Sequence, residues 1–397
     1  ADGPRFLWTK RPGLTEFCNL GEGAPVNGLY FWTRQDRLFS VCNGKVFVIT
    51  QAGAKTHLTG AGSLESRQTT GNRPTFADVL GTNLYVASGG KISEFTTTTA
   101  AVLSDTDAPT AVRFIGTINQ TLTALRDNSE RFDWADATTP TVWSGEYATA
   151  QASPDLTRSM IIANQYLYFF GQNTIEVWRD NGSTFVRESQ GAIEIGTLAR
   201  YSVANILGAL YFVDSSYEIS RLQGFQVQNI SNPNLSRYLR SFATVEDAIG
   251  DALFIDGKQF YILSFPGEQK TLVYDIAMNQ WYEWSYWNQS TAEREMFSGL
   301  SVANANEWKK TFIGDRANGK VYEMTGTTDD GDDIKTEIIT DEIDRGYPDQ
   351  WKFCSEINLT FKRADTAQSP KKMSISWRDN GETAWSATEQ VEIESIG

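Results

Sequence analysis

The chain has 397 residues, with 35 Lys+Arg against 49 Asp+Glu, one histidine, three cysteines and a formal net charge of −14. That balance argues against nucleic-acid binding through a basic face. The lone histidine excludes two-histidine metal centres and HExxH helices, and three scattered cysteines are too few for a disulfide framework or a four-thiolate zinc site.

The N-terminal stretch Ala1-Asp2-Gly3-Pro4-Arg5 has no basic region followed by an apolar run, so no secretory leader is expected. Residues 1–27 precede the first repeat and read as an N-terminal extension. Cys18, Cys42 and Cys354 read as buried thiols of a reducing compartment. His57 sits in a polar stretch between Gly-containing turns, a poor support for a base, and reads as an exposed or locally bonded loop residue. The longest apolar stretches, 160–171 and 202–213, are broken at Asn164-Gln165 and at Asn205 and Gly208. Both fall short of the ~18 apolar residues a membrane helix needs, so no span is expected.

With 12 Trp, 15 Tyr and 22 Phe, Thr and Val throughout, and almost no apolar spacing of three and four, the chain predicts short strands and tight turns. From residue 38 one pattern recurs: an alternating apolar run, a polar turn, and a second alternating run. The seven copies are 38–42 with 45–49, 84–87 with 91–95, 122–125 with 131–134, 166–170 with 174–178, 210–213 with 217–221, 260–263 with 271–274, and 311–314 with 320–324. Their spacing averages about 45 residues, the length of a four-stranded propeller blade. A sandwich lacks such a superperiod, and a βα barrel needs amphipathic helices between strands. The expected fold is all-β: a β-propeller over 28–325 with six or seven blades, the number depending on whether N-terminal strands complete the last blade.

Residues 326–335 form an acidic linker without the alternating oxygen ligands of an EF-hand. Beyond it, 336–341, 356–363, 373–377 and 390–396 alternate as strands of a small C-terminal β-domain over 336–397, and the chain stops just after one of them, which suggests a continuation. No dinucleotide fingerprint, P-loop or nucleophile elbow occurs. Paired carboxylates cannot be chosen by spacing, since in a propeller partners come from different blades. The segment running from Trp377 through Asp379 and Gly381 to Trp385 approximates the Asp-box hairpin of sialidase-like propellers, in which Asp bonds the amides of its own turn, Gly supplies positive φ and the aromatic packs beneath. It motivates a rival reading: a sialidase-like glycoside hydrolase or a glycan-binding module. Trp281, Trp284, Tyr286 and Trp287 read first as wedges between blades, with a sugar platform or an interface hot spot as the alternative. The basic residues Lys10, Arg11, Arg34 and Arg37 and the pairs Lys309-Lys310 and Lys371-Lys372 make no stripe.

Several ordered segments resemble the tail-hub, or packaged-DNA stabilisation, proteins of short-tailed double-stranded DNA phages. Arg11-Pro12-Gly13-Leu14 resembles the family's entry motif. A Trp-containing strand at 175–180 leads to Gly191-Ala192-Ile193-Glu194-Ile195-Gly196 and then Tyr201-Ser202-Val203, as in that family. Asp247–Gly250, 260–266, 271–275 and 281–284 follow in the same order, and the Trp377–Trp385 hairpin is similar to a family element in which Ser and Thr stand where this chain has Arg378 and Ala384.

The resemblance implies a structural nozzle or hub subunit with no catalytic residues, no cofactor and no metal. It implies a self-associated ring, a hexamer, below the phage adaptor or connector, with residues 1–27 contacting the C-terminal domain or the adaptor. Further partners are a tail needle or tip protein, a tail fibre or tailspike, and double-stranded DNA passing through the channel without sequence-specific binding. The location implied is the virion tail, assembled in the host bacterial cytoplasm. Surplus carboxylates suit such a conduit, because an anionic wall repels phosphate where a cationic one would hold it. Arg11, Pro12, Gly13, Leu14, Gly191, Glu194, Gly196, Asp379, Gly381 and Trp385 are the candidate structural and assembly residues. Gly191 and Gly196 are expected to shape a turn around Glu194, whose carboxylate is expected to bond a neighbouring amide or Arg.

Overall fold

In the computed structural model, which describes residues 10–60, 73–151, 155–189, 191–339, 371–378 and 384–393, each repeated pair supplies the two middle strands of a four-stranded antiparallel sheet. Blade 1 comprises Val26–Trp32, Arg37–Cys42, Lys45–Ile49 and Lys55–Leu58. Blade 2 comprises Thr75–Val79, Asn83–Ala87, Ser93–Phe95 and Ala100–Val102, and blade 3 Val112–Ile118, Thr121–Arg126, Arg131–Trp134 and Tyr147–Thr149. Blade 4 comprises Ser159–Ala163, Tyr166–Phe170, Ile175–Asp180 and Phe185–Arg187, and blade 5 Ala204–Ile206, Ala209–Val213, Ile219–Gln223 and Gln226–Asn229. Blade 6 comprises Ile249–Ile255, Lys258–Phe265, Lys270–Asp275 and Gln280–Glu283. Blade 7 takes Gly299–Ala305, Lys310–Asp315 and Lys320–Met324 from the end of the propeller and its fourth strand, Leu14–Asn19, from the beginning.

The count is therefore seven, and it closes through the N-terminus. Leu14–Asn19, which reads as part of an extension in the linear sequence, is a blade strand, because the open edge of Lys320–Met324 takes up its hydrogen bonds. The 326–335 stretch is likewise more than a linker. Thr328–Asp329 and Asp332–Asp333 form a small hairpin on the outer edge of blade 7, where Asp329 lies beside Leu14. His57 lies in the strand Lys55–Leu58, exposed, with its ring 5.3 Å from Phe47. Cys18 and Cys42 are free, buried thiols, and burial raises the pKa of Cys42 to about 11; Cys354 lies outside the described residues.

An α-helix, Pro233–Arg240, interrupts the all-β pattern between blades 5 and 6. Asn232 caps it by accepting from Leu235 N at 2.8 Å, Pro233 opens its first turn, and Leu235 and Leu239 bury one face on the core shared by those blades. A second insertion, the hairpin Ser285–Asn288 with Glu293–Met296, lies between blades 6 and 7.

Apolar residues fill the wedges between blades, and a polar side chain stitches each junction to a neighbour. Gln35 Nε2 donates to Gly81 O (2.8 Å) between blades 1 and 2, and Ile115 N donates to Thr75 Oγ1 (3.1 Å) between 2 and 3. Asn119 Nδ2 donates to Asp180 (3.1 Å) between 3 and 4, and Asn164 Nδ2 to Gly208 O (2.8 Å) between 4 and 5. Trp281 Nε1 donates to Ile230 O (3.0 Å) between 5 and 6, Asn304 Nδ2 to Ala252 O (2.9 Å) between 6 and 7, and Ser301 Oγ to Val26 O (2.8 Å) between 7 and 1.

The chain divides into two compact units, the second beginning at Thr336. In the second unit Lys371–Ile375 pairs with Glu389–Ile393. Residues 336–339, which read as the start of a strand, are irregular, with Ile338 and Ile339 exposed and no strand beside them among the described residues. The strand expected at 356–363 lies outside the described residues.

Candidate functional site: the ring clasp, the filled axis and the blade 4 to 5 junction

The clasp is built by Arg11-Pro12-Gly13-Leu14. Arg11 donates Nη1 to Asp329 Oδ1 (2.8 Å) and Nη2 to Asp329 Oδ2 (2.5 Å), a bidentate pair with side chains only 6% and 3% exposed. Its remaining donor capacity goes to Ser285 O (3.2 Å) and Pro12 O (3.1 Å), and its guanidinium lies 4.8 Å from the Phe297 ring centre and 5.6 Å from that of Trp284. Gly13 exchanges backbone hydrogen bonds with the far end of the propeller, its N donating to Gly326 O and its O accepting from Thr325 N. A Cβ at Gly13 would stand 2.1 Å from Thr328 O, so only glycine fits between the two chain ends. Leu14 is buried with Leu253, Ile262, Val273, Phe297 and Ile313 in the core between blades 6 and 7. Beside the clasp a polar cleft of about 230 Å³ is walled by Tyr286, Glu295, Arg316, Asp330 and Asp332. There Tyr286 hydrogen-bonds Asp332, which with burial pushes the phenol up to about 12.

The axis of the propeller is filled. Phe114 from blade 3, Tyr201 leading into blade 5, Ile249 from blade 6 and Leu300 from blade 7 belong to one buried cluster, and residues from those blades can meet only at the centre. Tyr201 pairs with Ile249, Gly250 N donates to Tyr201 O (2.8 Å), and Tyr261 Oη donates to Ser202 O (2.6 Å). The inner strands of blades 1, 3 and 7 each carry a register shift, at Val26/Gly28, Val112/Phe114 and Gly299/Ser301. The extra residues are Asn27, Arg113 and Leu300, and the bulge frees each from pairing. Leu300 enters the axial cluster, Asn27 offers its carbonyl to Arg73 Nε (3.4 Å), and Arg113 Nη1 reaches Ser88 O (3.1 Å). Arg73 Nη2 also reaches Asp251 (2.8 Å), tying blade 2 to blade 6 across the centre. Between blades 6 and 7, a void beside Asp251 and Leu300 measures about 10 Å³, room for about one water.

At the junction of blades 4 and 5 the 191–196 segment bends tightly at Glu194, where Ile195 N donates to Ile193 O at 2.8 Å. Ile193 exchanges both backbone hydrogen bonds with Ile175 at 2.9 Å, and Ile193 and Ile195 pack on the core between the blades, so the bend carries Glu194 outward, where it is exposed. Gly191 is exposed with φ +85. Gly196 is buried, and a Cβ there would meet Gln172 C at 2.2 Å and Asn173 N at 2.4 Å. The turn it presses against is held by Asp155, a buried carboxylate that accepts from the backbone N of Gln172 (2.8 Å), Asn173 (2.6 Å) and Thr174 (2.8 Å). Asp379 and Gly381 lie outside the described residues. Trp385 is half exposed with the Arg378 guanidinium 4.8 Å from its ring centre, and Ser386 N donates to Trp377 O at 2.7 Å.

Sequence reasoning missed Asp155, Arg73, Asp251 and Asp329, as well as the Arg113, Asp127 and Arg200 group. Burial raises the Asp127 carboxyl, but hydrogen bonds and charge from Arg113 (2.7 Å) and Arg200 (3.2 Å) outweigh it and leave the pKa lowered. Burial keeps Asp247, Asp251 and Asp315 raised. These three lie in different places, each already engaged by Gly267 N, by Arg73 or by the turn at Ala317-Asn318, and none faces another across a cleft as an acid/base pair would. Among the described residues no group of three or more His, Cys, Asp or Glu is arranged to hold a metal ion. No helix among them is long and apolar enough to cross a membrane.

A closed seven-bladed propeller with a filled axis and an N-terminal clasp is the class of protein these features define. Residues 6–329 match the family model for phage stabilisation proteins described as bacteriophage P22 Gp10, beta-propeller, and the chain belongs to that family of phage structural propellers. No curated protein sequence matches the chain. Among solved structures, the extracellular domain of the one-component system protein BT4673 from B. thetaiotaomicron is similar at TM-score 0.51 and 11% identity, over 80% of this chain and 44% of that one. The extracellular domain of the hybrid two-component system BT4673 from the same organism is similar at TM-score 0.52 and 10% identity, over 79% of this chain and 40% of that one. The likeness thus spans less than half the length of those chains and concerns the fold alone.

Three outcomes follow from this geometry. Arg11→Ala leaves Asp329 buried and uncompensated and lowers unfolding free energy by about 3–5 kcal/mol in chemical denaturation, whereas Arg11→Met combined with Asp329→Leu recovers most of it. Asp247→Asn raises stability at pH 7. The raised carboxyl is penalised only while ionised, so the gain shrinks as pH falls through the folded pKa and vanishes below the unfolded value of about 3.9, as melts across pH will record. Gly196→Val, having no space beside Gln172, sharply lowers folded yield and melting temperature, while Glu194→Gln changes neither.

Proposed function

We propose that the chain is a tail hub or nozzle subunit of a short-tailed phage, several copies of which, six in the simplest arrangement, form a ring below the portal adaptor. The ring retains packaged DNA and then forms its ejection conduit, closed at the far end by a needle or tip protein and flanked by fibres or tailspikes. The observation that carries this reading is the family match across the whole propeller, in a molecule whose centre holds packed side chains in place of a substrate pocket. Because Phe114, Tyr201, Ile249 and Leu300 fill the propeller axis, the conduit is the space enclosed by the copies, and DNA does not thread any single propeller. The net charge of −14 supports passage without retention, since phosphate is repelled and no counterions are released on contact. No catalytic role is assigned to any residue. The location is the virion tail, with assembly in the host cytoplasm.

Cryo-electron imaging of purified particles tests this directly. Density for the seven-bladed wheel is expected in several copies around the tail axis, with DNA between the copies. Particles lacking the chain, or a single copy lying off the axis, would overturn it.

A further inference from the structure

The two-residue turns joining the first and second strands of blades 3, 4, 5 and 6 share one conformation, with positive φ at their first residue: Asn119 (47), Asn164 (50), Leu207 (52) and Asp256 (49). Asn and Asp tolerate that conformation; Leu does so only at a cost, because its Cβ crowds the following carbonyl. Blade 5 nevertheless places Leu207 there, 73% exposed to water. The turn is held on both sides, Gly208 N donating to Asn205 Oδ1 (2.9 Å) and Asn164 Nδ2 of blade 4 donating to Gly208 O (2.8 Å). On the same face blade 6 displays Met278, 56% exposed, on a turn whose Ala277 and Met278 amides are fastened by Asp275 Oδ1 at 2.9 and 3.0 Å. An exposed apolar side chain on a strained turn, with a second on a fastened turn of the next blade, has no intramolecular benefit and fits a contact.

The occupant follows from charge and from the opposite face. The turns at 164–165, 207–208, 223–226 and 276–279 contain no ionisable side chain, and the blade 6 turn at 256–257 on the same face carries Asp256 followed closely by Lys258, so the sector has no net charge. On a molecule of net charge −14 such a sector is where a like-charged copy can approach without repulsion. A ring of identical copies needs two different patches on each chain. The opposite face of the neighbouring blades supplies the second, with Leu156 exposed ahead of blade 4 and Tyr217 exposed in blade 5, again at positive φ (60). We propose that Leu207 and Met278 on one face, and Leu156 and Tyr217 on the other, are the two halves of a head-to-tail contact between copies of this chain. The proposal rests on the ring reading above and names the surface that builds it.

Sedimentation of the full chain tests it. The wild type is expected to associate with increasing concentration, and Leu207→Asn and Tyr217→Ser are each expected to weaken association at least about tenfold, the effect of uncovering one large apolar side chain. Leu207→Asn, which installs the residue blade 4 uses, leaves the melting temperature unchanged or raised. Mixing the two variants restores pairs of wild-type strength, since each retains the half the other lacks, while each variant alone pairs at least about tenfold more weakly. A wild type that stays monomeric, a Leu207→Asn variant that associates normally or melts lower, or a mixture that shows no pairing would each overturn the proposal. The hub reading stands or falls separately, on whether the chain is found around the tail axis of particles.

Discussion

Ring closure by the first strand is the constraint on which the remaining architecture depends. Seven twisted sheets arranged about an axis leave one open seam, and an open seam exposes both a strand edge and the apolar sides of two blades. Here the seam is shut by Leu14–Asn19 pairing with Lys320–Met324, with Arg11 locked onto Asp329 beneath the rings of Phe297 and Trp284. The ion pair is buried, so its Coulomb attraction is offset by desolvation, and its main contribution is to specify where the two chain ends meet. Leu14 and the backbone exchange at Gly13 supply the stabilising burial and hydrogen bonds.

Closure in turn permits a solid centre. Inner strands held at a fixed radius bring Phe114, Tyr201, Ile249 and Leu300 together, and three register shifts at the same level of their blades turn additional groups toward or around that point. The hydrogen bonds at each junction then tie neighbouring blades together. The product is a closed wheel of seven packed sheets. Its raised carboxyls at Asp247, Asp251 and Asp315 are engaged by backbone amides or by Arg73, in keeping with a structural family.

Much of this was legible in linear form. The seven alternating pairs coincide with the second and third strands of the seven blades, because those strands are flanked on both sides and must carry the strongest apolar pattern. The fourth strands, such as Lys55–Leu58 and Gln226–Asn229, lie at exposed edges, carry polar residues, and therefore look like loop. The helix Pro233–Arg240 was readable in principle from Asn232-Pro233 and the spacing of Leu235 and Leu239, but eight residues give too short a period to stand out. Arg11-Pro12-Gly13-Leu14 and the 191–196 segment were recognisable as motifs, while their partners were not.

What the amino-acid sequence determined by itself was the strand inventory, the blade period and the acidic balance, since all three follow from local alternation and composition. What only the tertiary structure decided was which residues meet: Arg11 with Asp329, Arg73 with Asp251, Gly196 with the turn held by Asp155. Those contacts join residues separated by as many as 318 positions, and a pairing across that distance leaves no periodic trace, because it is set by the angle through which seven packed sheets turn before the chain returns to its start.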